Sequence, residues 1–187
     1  MKNLHHLTVA LLGSILTLVA SAADEKPSSL QEFRHRVTGL FQPDRTNDLQ
    51  KLVAQLPDVK LVSVDFAASE AVFSYDAATL GGGKPEKVLE RLDNLVRTAS
   101  RATFGIKPVC PTPHDKLTSV EISVLGLDCK GCALSAYEAV AKIDGVEQAT
   151  ASFREGRVNA LIDGTKTKRE SLVEALKKAR VEVAEKP

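Results

Sequence analysis

The chain has 187 residues, a formal charge of +1 and a near balance of 25 basic and 24 acidic side chains. Charges of both signs are mixed along its length, which leaves no basic face for nucleic acid or an anionic membrane surface. Aromatic residues make up 4% and tryptophan is absent, so any core must be built largely from Val, Leu, Ile and Ala.

Lys2 is followed by an apolar run, Leu7 to Ala20, and then by small residues. A basic start, a short apolar stretch and small side chains at Ala20 and Ala22 predict a secretory signal peptide over 1–22, and hence a secreted or periplasmic protein. No cysteine follows the run and no twin arginine precedes it, and no later segment is apolar enough to insert in a membrane once the signal is removed. Cleavage after Ala22 removes one lysine and no acid, lowering the formal charge from +1 to 0. Three cysteines remain, Cys110, Cys129 and Cys132. An odd count in an exported chain leaves at least one thiol free, metal-bound or bridged to another molecule.

From residue 28 the periodicity predicts elements at 33–40, 46–56, 59–66, 70–76, 84–99 and 101–107, in the order strand, helix, strand, strand, helix, strand. Gly81-Gly82-Gly83 lacks the Lys-Ser/Thr that would make it a phosphate loop and is read as a turn insertion. Three prolines in 108–116 restrict the backbone, so 108–115 is read as a semi-rigid, Pro-rich linker. Residues 117–126 then alternate as a strand. Ala133, Ala136, Val140 and Ile143 step by three or four, one face of a helix that ends at Asp144-Gly145. Strands follow at 146–153 and 157–162 around the turn Arg154-Glu155-Gly156. A helix after Lys168 carries Leu172, Leu176 and Ala179 on one side, and a short strand at 181–184 closes the chain.

The two halves repeat each other at an offset of 87 residues. Gly39-Leu40 falls on Gly126-Leu127, Val53 on Val140, Phe66 on Phe153 and Asp76 on Asp163. The register runs unbroken from Val37 to Asp76 and slips by three residues at the triple glycine. The expected architecture is therefore α+β: two tandem ferredoxin-like βαββαβ domains, 28–107 and 116–187, each a four-stranded antiparallel sheet with two helices on one face.

The chemistry concentrates in Gly126-Leu127-Asp128-Cys129-Lys130-Gly131-Cys132, at the junction of a strand and a helix. Two thiols at that spacing can hold a soft metal, close a disulfide or shuttle electrons. A helix tip favours an anion and lowers thiol pKa, an effect expected here at Cys132.

With the cysteines ahead of the first helix of a βαββαβ unit, the second half resembles the heavy-metal-associated domain family over about Lys116 to Val183. The matching residues are Gly126, Leu127, Asp128, Cys129, Cys132, Gly145 and Val146, with Leu127 where methionine is usual. The resemblance implies a metal-binding protein rather than an enzyme, with Cys129 and Cys132 as ligands of a soft or borderline ion such as Cu(I) or Zn(II), held for sequestration or for transfer to a partner protein. Asp128 resembles the carboxylate of zinc- and cadmium-exporting ATPases that ligates the ion, or else caps the helix. The first half lacks the pair, having Gln42 and Arg45 at the positions of Cys129 and Cys132, and is expected to bind no soft ion and to serve as a scaffold or docking domain. Cys110 and His114 are further candidates to fold over the metal, or else a linker thiol and an exposed imidazole; Lys166 lies in the general region where copper chaperones carry a thiolate-neutralising lysine, or else is simply solvated; and His35 is expected to be structural. The competing readings are a protein-interaction module with a structural disulfide and, more remotely, a dithiol oxidoreductase.

Overall fold

The computed structural model describes residues 30–184; the expected signal peptide lies outside them. Two units of the same βαββαβ order follow one another, the first with one additional short helix. The first comprises β1 (Gln31–Thr38), α1 (Arg45–Val53), β2 (Val59–Asp65), β3 (Glu70–Tyr75), α2 (Ala77–Gly81), α3 (Pro85–Ser100) and β4 (Gly105–Lys107). The second comprises β5 (Thr118–Leu125), α4 (Lys130–Ala141), β6 (Val146–Ser152), β7 (Arg157–Ile162), α5 (Arg169–Lys178) and β8 (Glu182–Val183). Each sheet has four strands, in the orders β2-β3-β1-β4 and β6-β7-β5-β8, and every pairing is antiparallel. The ferredoxin-like α+β fold read from the duplication is the fold observed.

Burial explains the elements. On β5, Val120, Ile122 and Val124 are buried while their neighbours are exposed, the alternation of a strand with one covered face. Val88, Leu92 and Val96 step by four along α3, and Leu172 and Leu176 do so on α5, giving each helix one apolar stripe. Helix α4 buries Ala133, Ala136, Tyr137 and Val140. Its alanines let it lie close to the sheet, while Tyr137 reaches beyond it.

Two local differences from the sequence reading have steric causes. The strand expected over 101–107 is confined to Gly105–Lys107, because Arg101 (φ 52°) and Ala102 (φ 63°) turn left-handed to end α3. The segment before the triple glycine folds into the short helix α2. Asp76 caps it by accepting hydrogen bonds from the Ala78 and Thr79 amides at 2.8 and 3.3 Å, and Gly82 at φ 64° ends it. In the linker, His114–Lys116 forms one 3₁₀ turn.

The units are docked along α4 and β6. At one end, the Arg36 guanidinium donates to the Glu147 carbonyl at 2.8 Å and pairs with its carboxylate. Further along, Gln148 donates to the Phe66 carbonyl at 3.4 Å. The Gly39 amide donates to the Tyr137 hydroxyl at 2.7 Å, a buried contact. Phe41, only 4% exposed, belongs to the hydrophobic core of the second unit rather than its own, with its ring centroid 5.7 Å from that of Tyr137. The Ala151 amide donates to the Phe41 carbonyl at 3.0 Å, and the Gln42 side chain donates to the Ala151 carbonyl at 3.1 Å. The loop after β1 thereby covers the open edge of β6, satisfying backbone groups that an edge strand would expose.

Candidate metal centre

The segment between β5 and α4 is set by a turn that the repeat shares. Gly126 at φ 70° and its counterpart Gly39 at φ 95° both leave the first strand of their unit in the left-handed region, where a side chain is strained. Leu127 then turns inward, 6% exposed, and joins the core of the second unit. An apolar side chain of similar volume to the usual methionine thus fills the core beneath the loop. Asp128 follows, and Cys129 is the N-cap of α4 in extended conformation (φ −151°, ψ 165°).

The Cys129 sulfur accepts a hydrogen bond from the Cys132 amide at 3.2 Å, the position a serine or aspartate oxygen takes in ordinary caps. The two sulfurs lie 2.7 Å apart and both thiols are free. Cys129 is exposed, whereas Cys132 is half-buried and packs against the core. The acidity expected of Cys132 is found on its neighbour. Hydrogen bonds from the Cys132 thiol and then the Cys132 amide hold Cys129 below the usual thiol range. The Cys132 thiol is pushed up, first by its hydrogen bond to Cys129 and next by burial. The helix-tip amide points at Cys129 as well, so both hydrogen bonds favour the thiolate form of Cys129 over that of Cys132.

Among the described residues no group of three or more His, Cys, Asp or Glu is gathered that could hold a metal ion. Cys129 and Cys132 are brought together, and Asp128 is not assembled with them into a three-donor set. Cys110 is elsewhere. Its thiol donates to the Thr112 carbonyl at 3.4 Å and neighbours Glu147 and Arg36, with burial as the main cause that raises its pKa. Glu147 adjoins Val146, which pairs with Ile162, itself opposite Thr118 at the start of β5. Cys129 lies beyond the far end of that strand, roughly 23 Å away at about 3.3 Å per residue. The Lys166 ammonium stands 4.0 Å from the Asp163 carboxylate. His35 bonds the Tyr75 hydroxyl through Nε2 at 2.7 Å, the structural role expected of it.

In the first unit the equivalent loop is built for another purpose. Gln42, at the position of Cys129, holds the edge of β6. Arg45, at the position of Cys132, stacks its guanidinium 4.2 Å from the Phe104 ring centroid and pairs with Asp48 at 2.7 Å. Phe41 occupies the position of Asp128. Sequence reading missed this loop as an interface, although an aromatic residue where its repeat carries a carboxylate was the available signal. It also missed Lys130, between the two cysteines, whose ammonium pairs with the carboxylate of Asp44 in the first unit.

Residues 121–180 match the family model of the heavy-metal-associated domain. The second unit is a heavy-metal-associated domain. No curated protein matches the chain. Among solved structures, this chain is similar to a CopZ metallochaperone (24% identity, covering 36% of this chain and 100% of that one, TM-score 0.35). It is also similar to oxidized MerP from Ralstonia metallidurans CH34 (25% identity, 38% and 99%, TM-score 0.36). A third is the N-terminal soluble domains of Bacillus subtilis CopA (18% identity, 85% and 95%, TM-score 0.35). Within this heavy-metal-associated domain, Gly145 at φ 84° precedes Val146, and a Cβ there would meet the Lys166 Cβ at 2.7 Å, so the Gly-Val at the start of β6 has a steric basis. No helix among the described residues is long and apolar enough to cross a membrane.

Proposed function

We propose that this is an exported carrier, not an enzyme, whose heavy-metal-associated domain holds one soft or borderline ion, Cu(I) or Zn(II), as cargo between Cys129 and Cys132. The ion is sequestered there or passed to a partner protein. The observation that carries this reading is the pair itself: two free, adjacent sulfurs at a helix tip, one of them exposed and accepting the hydrogen bond of a helix-tip amide. Thiolates select soft ions, and two of them satisfy the near-linear preference of Cu(I). Zn(II) prefers four ligands and would draw the others from Asp128, from water or from an acceptor. An open, two-donor site favours transfer, because an incoming ligand can bind before the outgoing one leaves.

Titration of the reduced protein with Cu(I) and with Zn(II), against a chelator of known affinity, tests the proposal. One equivalent bound in a manner abolished by Cys129→Ser or Cys132→Ser supports it, and Asp128→Ala separates the ions by weakening Zn(II) more than Cu(I). Binding weaker than micromolar for both ions would leave the interaction-module reading. That second reading draws on the docking of the first unit through the very loop that carries the cysteines in its repeat.

A further inference from the structure

The counterpart of the cysteine loop in the first unit, residues 39–45, runs along the second unit toward the cysteine pair and touches it at successive points. The Gly39 amide anchors on Tyr137 of α4, Phe41 enters the core, and Gln42 holds β6 at Ala151. Two residues on, Asp44 pairs with Lys130, one of the two residues between Cys129 and Cys132. The backbone of Asp44 is fixed as the N-cap of α1, its carbonyl accepting from the Asn47 amide at 3.2 Å. The cysteine loop is therefore tethered from outside its own unit.

We infer that Asp44 is a positioning residue for the thiol pair: through Lys130 it steadies the segment between the cysteines, so that docking of the first unit limits how readily the loop opens to release or accept an ion. The statement about ions rests on the reading of Cys129 and Cys132 as ligands; the tether itself does not. It gives the first unit a role in the site although that unit has no thiol of its own. Both partners are partly exposed, with 62% of the Lys130 side chain and 47% of that of Asp44 accessible, so the effect is modest and screened by salt.

The test uses the full chain, reduced and metal-free, as wild type, as Asp44→Ala, and with the charges exchanged by Asp44→Lys together with Lys130→Asp. Amide exchange of residues 128–133 is followed by mass spectrometry at low and at 1 M salt. Transfer of Cu(I) from its bicinchoninate complex is timed for wild type and Asp44→Ala. We expect Asp44→Ala to speed loop exchange and Cu(I) uptake about two- to fivefold, the charge exchange to restore loop protection, and 1 M salt to erase the difference. Unchanged loop exchange in Asp44→Ala, or no recovery on charge exchange, would overturn the inference. If Asp44→Ala loosens the loop while no form takes up Cu(I) or Zn(II), the tether stands and the carrier reading falls.

Discussion

Replacing Phe41 by alanine should separate two units that otherwise unfold together. The ring lies in the core of the second unit although the residue belongs to the first, is 4% exposed, and packs at 5.7 Å from Tyr137. Burying such a side chain stabilises by roughly 1.5–3 kcal/mol, and the cavity left by its removal raises the cost of Phe→Ala to about 3–5 kcal/mol. Most of that energy joins the two units, because the ring lies in the second unit's core, although the Arg45 guanidinium of its own unit also stands 5.4 Å from its centroid. The loss should therefore appear as uncoupling rather than as a uniform shift. Urea unfolding followed by hydrogen exchange mass spectrometry reports each unit separately. In the wild type, peptides of both units should open at one midpoint. In Phe41→Ala the midpoints should part, with the second unit losing protection around Tyr137 and Ala151 first. A single shared transition displaced by less than about 1 kcal/mol would refute the reasoning, since the ring would then contribute no more than a surface contact.

Other perturbations follow from the same geometry. Gly39→Ala should cost more than Gly126→Ala although both are left-handed, because a Cβ at Gly39 would meet the Thr103 carbonyl oxygen at 2.1 Å while at Gly126 nothing lies within 4 Å. Thermal melting should show about 1–2 kcal/mol for Gly126→Ala and at least about 1 kcal/mol more for Gly39→Ala; equal losses would contradict the repeat geometry. His35 is held neutral, its pKa lowered by burial, so the unfolded chain takes up a proton first as pH falls. Its contribution to stability should be full above about pH 6.5 and decline below that value until the folded pKa is reached. Melting temperatures from pH 7.5 to 5 should show this slope, and His35→Gln should flatten it. Alkylation by iodoacetamide at neutral pH should label Cys129 well before Cys132 and Cys110, as peptide mass spectrometry would reveal; preferential labelling of Cys132 would contradict the lowered pKa of Cys129.

Apart from the short helix α2 and the length of β4, the elements and their order were legible in the sequence because each depends on neighbours a few residues apart. The alternation on β5, the three-four spacing on α4 and the glycines at 39, 126 and 145 express local geometry, and an offset of 87 residues lines up the halves without any contact being known. The cysteine pair was legible for the same reason, since a spacing of three positions at a strand–helix junction places both sulfurs at one helix tip. What the sequence could not show is which thiol is the more acidic, as that depends on the directions of two hydrogen bonds, from the Cys132 thiol and the Cys132 amide, both to Cys129. Nor could it show the docking of the units. The contacts from Gly39 to Tyr137, Gln42 to Ala151 and Arg36 to Glu147 join residues 98, 109 and 111 positions apart. No periodicity encodes such pairings; they arise when the exposed edge of one finished sheet meets a loop of another unit, and only the assembled surfaces decide that fit.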